Sequence, residues 1–148
     1  MCEYCGCQQI PAIATLTAEH DQIRAGARVV DLAGRDGDYP AVRSAARQLL
    51  DLLGPHTAIE EQGLFPAMAG EFGEHVRSLE ADHRQIHSVL AGLTSTDSPA
   101  VGWQREVATV IQELFDHILR EQDGLFPATL SVLTAQDWER LDRMIGQA

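Results

Sequence analysis

Two stretches of this chain say nearly the same thing twice. Residues 56–67 read HTAIEEQGLFPA, and residues 117–128 read HILREQDGLFPA. In each, a His is followed four residues later by a Glu and then by Gly-Leu-Phe-Pro-Ala. Helix positions i and i+4 share a face and lie about 6 Å apart. His56 with Glu60, and His117 with Glu121, can therefore address one centre from the same side.

A second repeat lies upstream of each. Residues 18–24 read AEHDQIR and residues 81–87 read ADHRQIH, which places His20 and His83 at matching points ahead of the two His-x-x-x-Glu pairs. The chain thus reads as two copies of one helical hairpin. The copies differ at one position of consequence, where the second has His87 and the first has Arg24. Five His and two carboxylates converge, divided unequally between the halves.

The apolar periodicity around these residues is that of bundle helices. Leu16, His20, Ile23, Ala27 and Val30 form one seam, and Leu49, Leu53, His56 and Glu60 a second. Val76, Leu79, His83, Ile86, His87 and Leu90 make a third, and Val107, Val110, Leu114, His117 and Glu121 a fourth. Helices are expected over about 11–33, 40–63, 73–93 and 100–123. Gly-rich and Ser-rich turns at 34–40 and 94–102 separate them, and each GLFPA is read as the end of its helix. Gly54-Pro55 predicts a kink just before His56. Thr134 and Asp137 predict a capping box opening a last amphipathic helix, about 135–146, which packs across the open end of the bundle. The fold class is all-α: an antiparallel up-down-up-down four-helix bundle over residues 11–148, with a short C-terminal fifth helix. Residues 1–10 are a polar N-terminal arm carrying Cys2, Cys5 and Cys7. These three thiols are candidates for a redox role, and as a tetrahedral metal site they fall one ligand short.

Composition narrows the functions. The formal charge is −11 and all eleven basic residues are Arg. So acidic a chain repels phosphate backbones, which argues against nucleic acid as a partner. No apolar run reaches the roughly 20 residues of a membrane span, and the N-terminus lacks the basic and apolar regions of a secretory signal. A cytoplasmic protein is expected.

Glu60 and Glu121 carry the chemical argument. Each falls on a core-facing seam position, where an unpaired carboxylate costs several kcal/mol, and the chain has no Lys to neutralise it. Seven such groups, His20, His56, Glu60, His83, His87, His117 and Glu121, are too many for an accidental hydrogen-bonded network. A dinuclear metal centre satisfies them together, with carboxylates bridging and imidazoles in terminal positions. His75, the sixth His, lies off the seams and is read as a surface residue.

This pattern, H…HxxxE…HxxxH…HxxxE, resembles the hemerythrin and hemerythrin-like HHE cation-binding family over nearly the whole chain from about residue 11. The resemblance implies two iron ions, bridged by oxo or hydroxo and by Glu60 and Glu121. It implies His83, His87 and His117 on one iron and His20 and His56 on the other, leaving that second iron open to O₂, NO or peroxide. Leu114 matches the apolar pocket residue of the oxygen carriers. Those carriers place an Asp five residues after the fourth-helix His, whereas this chain has a Glu four after, as in the wider HHE group. The expected function is a non-haem di-iron protein that binds or senses a small ligand, in a response to oxidative or nitrosative stress. Two alternatives accompany it. One is a di-iron enzyme of the catalase type, with Arg24 as a candidate pocket residue that steers peroxide. The other is an iron or redox sensor acting through the Cys arm.

Overall fold

A computed structural model describes residues 6–147. All the regular structure among them is helical. Four long helices carry the fold: α1 (Pro11–Arg35), α2 (Tyr39–Ile59), α3 (Phe65–Thr94) and α4 (Trp103–Arg120). Two shorter ones follow, α5 (Phe126–Val132) and α6 (Ala135–Gln147). Helix α1 packs on α2 and α4, and α3 packs on the same two, so the long helices form a closed four-membered bundle.

Helix ends follow local chemistry. Asp38 caps α2 by accepting from the Ala41 N–H at 3.0 Å, an N-cap bond of the usual kind. The α3–α4 connection ends at Gly102, whose φ of 82° suits a residue without Cβ. Helix α4 starts at Trp103 because of it, three residues later than the sequence reading. The capping box of α6 is present. Asp137 accepts from the Thr134 N–H at 2.9 Å, and Thr134 Oγ1 accepts from the Asp137 N–H at 3.2 Å.

The GLFPA stretches do not end their helices, and this corrects the reading above. Helix α2 runs through Pro55 to Ile59 and passes into a π-helical turn, Glu60–Leu64, which leads directly into α3. Helix α4 passes through a second π turn, Glu121–Leu125, into α5. Pro66 and Pro127 sit in the first turn of the helices that follow, where a missing N–H leaves no bond unmade. The real interruption of α3 falls at Phe72 (φ −120°, ψ 33°), just before Gly73, where the sequence reading starts its third helix.

The core has two apolar clusters. One gathers Ile23, Leu53, Ile86, Leu90, Leu114 and Ile118 with their neighbours. The other holds Ile13, Leu16, Leu64, Phe65, Leu79 and Phe126, and α6 closes over it through the fully buried Leu141. Cys7 also belongs to this second cluster and is completely buried. That corrects its assignment to a polar arm: a 3₁₀ turn at Cys7–Gln9 folds back on α1 and α5 and carries the thiol inward. Cys2 and Cys5 lie outside the described residues. No helix among the described residues is long and apolar enough to cross a membrane.

Candidate metal centre

A layer of His and Glu separates the two apolar clusters. His20 from α1, His56 from α2, His83 from α3 and His117 from α4 all turn their side chains into it. Each is at most 7% exposed, and Glu60 and Glu121 are wholly buried. Both carboxylates stand at the first residue of a π turn. The wider helical turn re-aims the residues that follow, a device common at functional sites.

The ring nitrogens divide their work. Every Nδ1 is held from outside the layer: His56 by Glu19 Oε2 at 2.7 Å, His83 by Glu61 Oε1 at 2.9 Å, His20 by Gln122 Oε1 at 3.0 Å and His117 by Asp82 Oδ2 at 3.2 Å. Every Nε2 points inward. His56 Nε2 lies 3.0 Å and His20 Nε2 3.6 Å from Glu60 Oε1, while His83 Nε2 lies 3.2 Å from Glu60 Oε2. His117 Nε2 meets Glu121 Oε1, which also lies 3.9 Å from His20 Nε2 and 4.0 Å from His83 Nε2. Glu60 thus turns one oxygen towards the first-half imidazoles and the other towards the second half.

Despite these approaches, His20, His56 and His117 Nε2 and all four carboxylate oxygens make no hydrogen bond. Buried polar atoms in that state are costly. These inward atoms crowd within metal-ligand distance of one another, which is the arrangement of a cation site. Two donor groups meet metal-ligand spacing: His20, His56 and Glu60, and Glu60, His83, His117 and Glu121. Glu60 belongs to both. With Nδ1–H donated outwards, each imidazole offers its Nε2 lone pair to the centre, and the outer acceptors raise its basicity.

The outer contacts cross between the repeats. Glu61 and Gln122 each follow the Glu of a His-x-x-x-Glu pair, and each holds the His of the other half. The Phe of each GLFPA does the same. Phe65 stacks on His83, centroids 5.6 Å apart and 10° from parallel, and Phe126 stacks on His20 at 5.5 Å and 3°. Glu19 and Asp82, which directly precede His20 and His83, hold the His of the adjacent pair in their own half. None of these roles was assigned from the sequence. The signal was present in the paired acids of AEH and ADH and in the Glu or Gln after each HxxxE.

The remaining candidates fall elsewhere. His87 is partly buried and stands outside both donor groups, but it lines a narrow cavity above the His layer. That cavity has Thr57 and the apolar Ile23, Leu53, Ile86 and Leu114 in its walls and admits about one water-sized molecule. Leu114, the candidate pocket residue, is one of its walls. Arg24 does not line it, and its Nη1 pairs with Asp21 at 3.3 Å. His75, read as a surface residue, is half-buried. Its Nε2 has no hydrogen-bond partner. Burial, and then the nearby Arg120 charge, hold its pKa below the usual His value.

The two buried carboxylates shift the titration of the imidazoles around them. Burial alone would keep His56 neutral, but the Glu60 carboxylate and the Glu19 contact outweigh it and push its pKa up to about 10. His83 is raised to about 9 against burial, mainly by Glu60, and His117 is raised by Glu121. Glu60 is held well below the carboxylate range despite its burial, chiefly by His56. Glu121 is raised by burial and by the negative charge of Glu60.

A pH prediction follows. For His56 and His83 the folded pKa exceeds the unfolded value of 6.5. The stability they contribute is fully present below pH 6.5 and is lost as pH rises through about 9 and about 10. Protein stripped of metal should lose stability by several kcal/mol between pH 6.5 and pH 10. Protein loaded with a metal held by these Nε2 atoms would have no such proton to lose and should not show this fall. Urea midpoints at the two pH values test it; a metal-free midpoint that rises with pH would contradict the assignment.

A family model described as Hemerythrin HHE cation binding domain matches residues 12–129. No curated protein and no solved structure matches the chain.

Proposed function

This chain belongs to the hemerythrin HHE cation-binding domain family, and from that premise we propose that it holds two iron ions in the His and Glu layer and binds O₂, NO or peroxide beside them. The reading includes an antiparallel up-down-up-down order of the four long helices, supported by their short connections. The observation that carries it is the convergence of buried, unbonded donor atoms while every Nδ1 is tied down from outside. His20 and His56 would hold one metal and His83 and His117 the other. Glu60, the member common to both donor groups, would bridge, and Glu121 would complete the group at His83 and His117, its own bridging role resting on the family pattern alone. When bound, the metals supply an open coordination position and electrons for a small oxidant or radical. The chain supplies a floor of Phe65 and Phe126 that excludes water and a largely apolar cavity sized for one such molecule. Metal quantification with an optical spectrum tests the centre. Addition of O₂ and NO to the reduced protein tests the ligand; no new charge-transfer band and no nitrosyl signal would refute it.

Peroxide disproportionation is a second reading, favoured by the place of His87. It lines the cavity, is partly exposed and stands outside both donor groups, so it is positioned to pass a proton between solvent and a bound peroxide. The family resemblance instead makes it a third imidazole for the metal at His83 and His117. His87→Ala separates the two. As a proton carrier, the variant retains two metals per chain and loses oxygen evolution from peroxide by about 10²-fold or more. As a ligand, it loses metal.

A further inference from the structure

The four outer contacts are not equivalent, and one has no counterpart in the other half. Glu19 and Asp82 occupy matching positions and are equally exposed, at 32%. Glu19 Oε2 lies 2.7 Å from His56 Nδ1. Asp82 Oδ2 is divided. It lies 3.2 Å from His117 Nδ1 and also accepts from Arg120 Nη1 at 2.5 Å. The guanidinium is anchored by its other arm, Nη2 donating to Ser78 Oγ at 2.7 Å. In the first repeat the residue matching Arg120 is Ile59, which carries no charge.

We propose that Arg120 is a positioning residue that sets the donor strength of His117. The inference rests on the metal reading of the site. A carboxylate that accepts from Nδ1–H pushes electron density through the ring to Nε2 and strengthens it as a ligand. Arg120 takes the larger share of the same oxygen by a charge-assisted bond. The His117 contact lengthens relative to its counterpart at His56, and the ring becomes the poorer donor. The half of the centre at His83 and His117 thereby favours its reduced state more than it would with an undivided Asp82.

A purely mechanical role, in which Arg120 only keeps Asp82 in place, predicts the opposite sign. Loss of Arg120 would then weaken the Asp82 contact and act like loss of Asp82 itself. The test compares Arg120→Gln, Arg120→Lys and Asp82→Asn in the full chain loaded with iron, reading reduction potential and the rate of iron loss to a ferrous chelator. Asp82→Asn should raise the potential and speed iron loss by about 10–100-fold. Arg120→Gln should lower the potential and slow iron loss severalfold, and Arg120→Lys should stay near wild type. A shift of Arg120→Gln in the same direction as Asp82→Asn, or none, overturns the proposal. Metal-free protein provides a separate readout, the NMR shift of the His117 Nδ1 proton. It should move downfield in Arg120→Gln as the bond to Asp82 shortens, and an upfield or absent movement also overturns the proposal. Failure of wild-type protein to bind iron would overturn the metal reading itself, a result distinguishable from either failure of Arg120.

Discussion

On the two-metal reading proposed above, Glu60→Ala is expected to strip the protein of both metals. Glu60 is the one side chain shared by the two donor groups, with Oε1 towards His56 and His20 and Oε2 towards His83. Losing an outer contact of a ligand typically costs about 10–100-fold in metal affinity, so loss of a residue proposed as a ligand to two metals should cost more. The variant should be purified with less than about a tenth of the wild-type metal. Glu121 approaches three imidazoles through Oε1 but belongs to only one donor group. Glu121→Ala should therefore retain more metal than Glu60→Ala. Metal analysis of both variants, beside circular dichroism to verify helix content, decides the matter. Equal retention would show that the carboxylates are interchangeable and that the shared position of Glu60 has no consequence.

Phe126→Ala should be among the most destabilising single changes at the site, with Phe65→Ala beside it. The ring is fully buried in the second apolar cluster. Truncating such a residue costs about 3–5 kcal/mol. Its effect on the centre should cross the repeat boundary, because Phe126 belongs to the second GLFPA yet stacks on His20 of the first hairpin. Phe65→Ala should mirror it at His83. In the metal-free protein, Phe126→Ala is expected to broaden or shift the NMR signals of His20 more than those of His83, and Phe65→Ala the reverse. Each Phe perturbing chiefly the His of its own half would refute the crossed arrangement.

The bundle and the inward-facing groups could be read from the chain because they follow periodicity. Leu16, His20, Ile23 and Ala27 recur at helical spacing, and all four are buried. The same rule pointed to Glu60 and Glu121, since a carboxylate on a core seam is an anomaly that calls for a partner. The π turns were not legible. Gly-Leu-Phe-Pro carries two residues that usually end helices, and nothing local shows that Pro66 and Pro127 begin the next one. Glu19, Glu61, Asp82 and Gln122 escaped for a different reason. A polar residue beside a seam looks like solvent-facing surface, and its partner lies 22 to 102 residues away. Cys7 was misplaced because three closely spaced cysteines suggested a polar tail, whereas the 3₁₀ turn that buries this one depends on contact with α5.

The exchange of outer contacts has a consequence for how such a domain can be divided. Neither hairpin is expected to hold metal well in its own right. Separated from residues 121–128, the first would keep His20 but lose the amide at Gln122 that fixes its tautomer and the aromatic plate at Phe126 that fixes its plane. The second would lose Glu61 and Phe65 in the same way. Fragments should regain the site only when mixed, each completing the other like the two hands of a clasp.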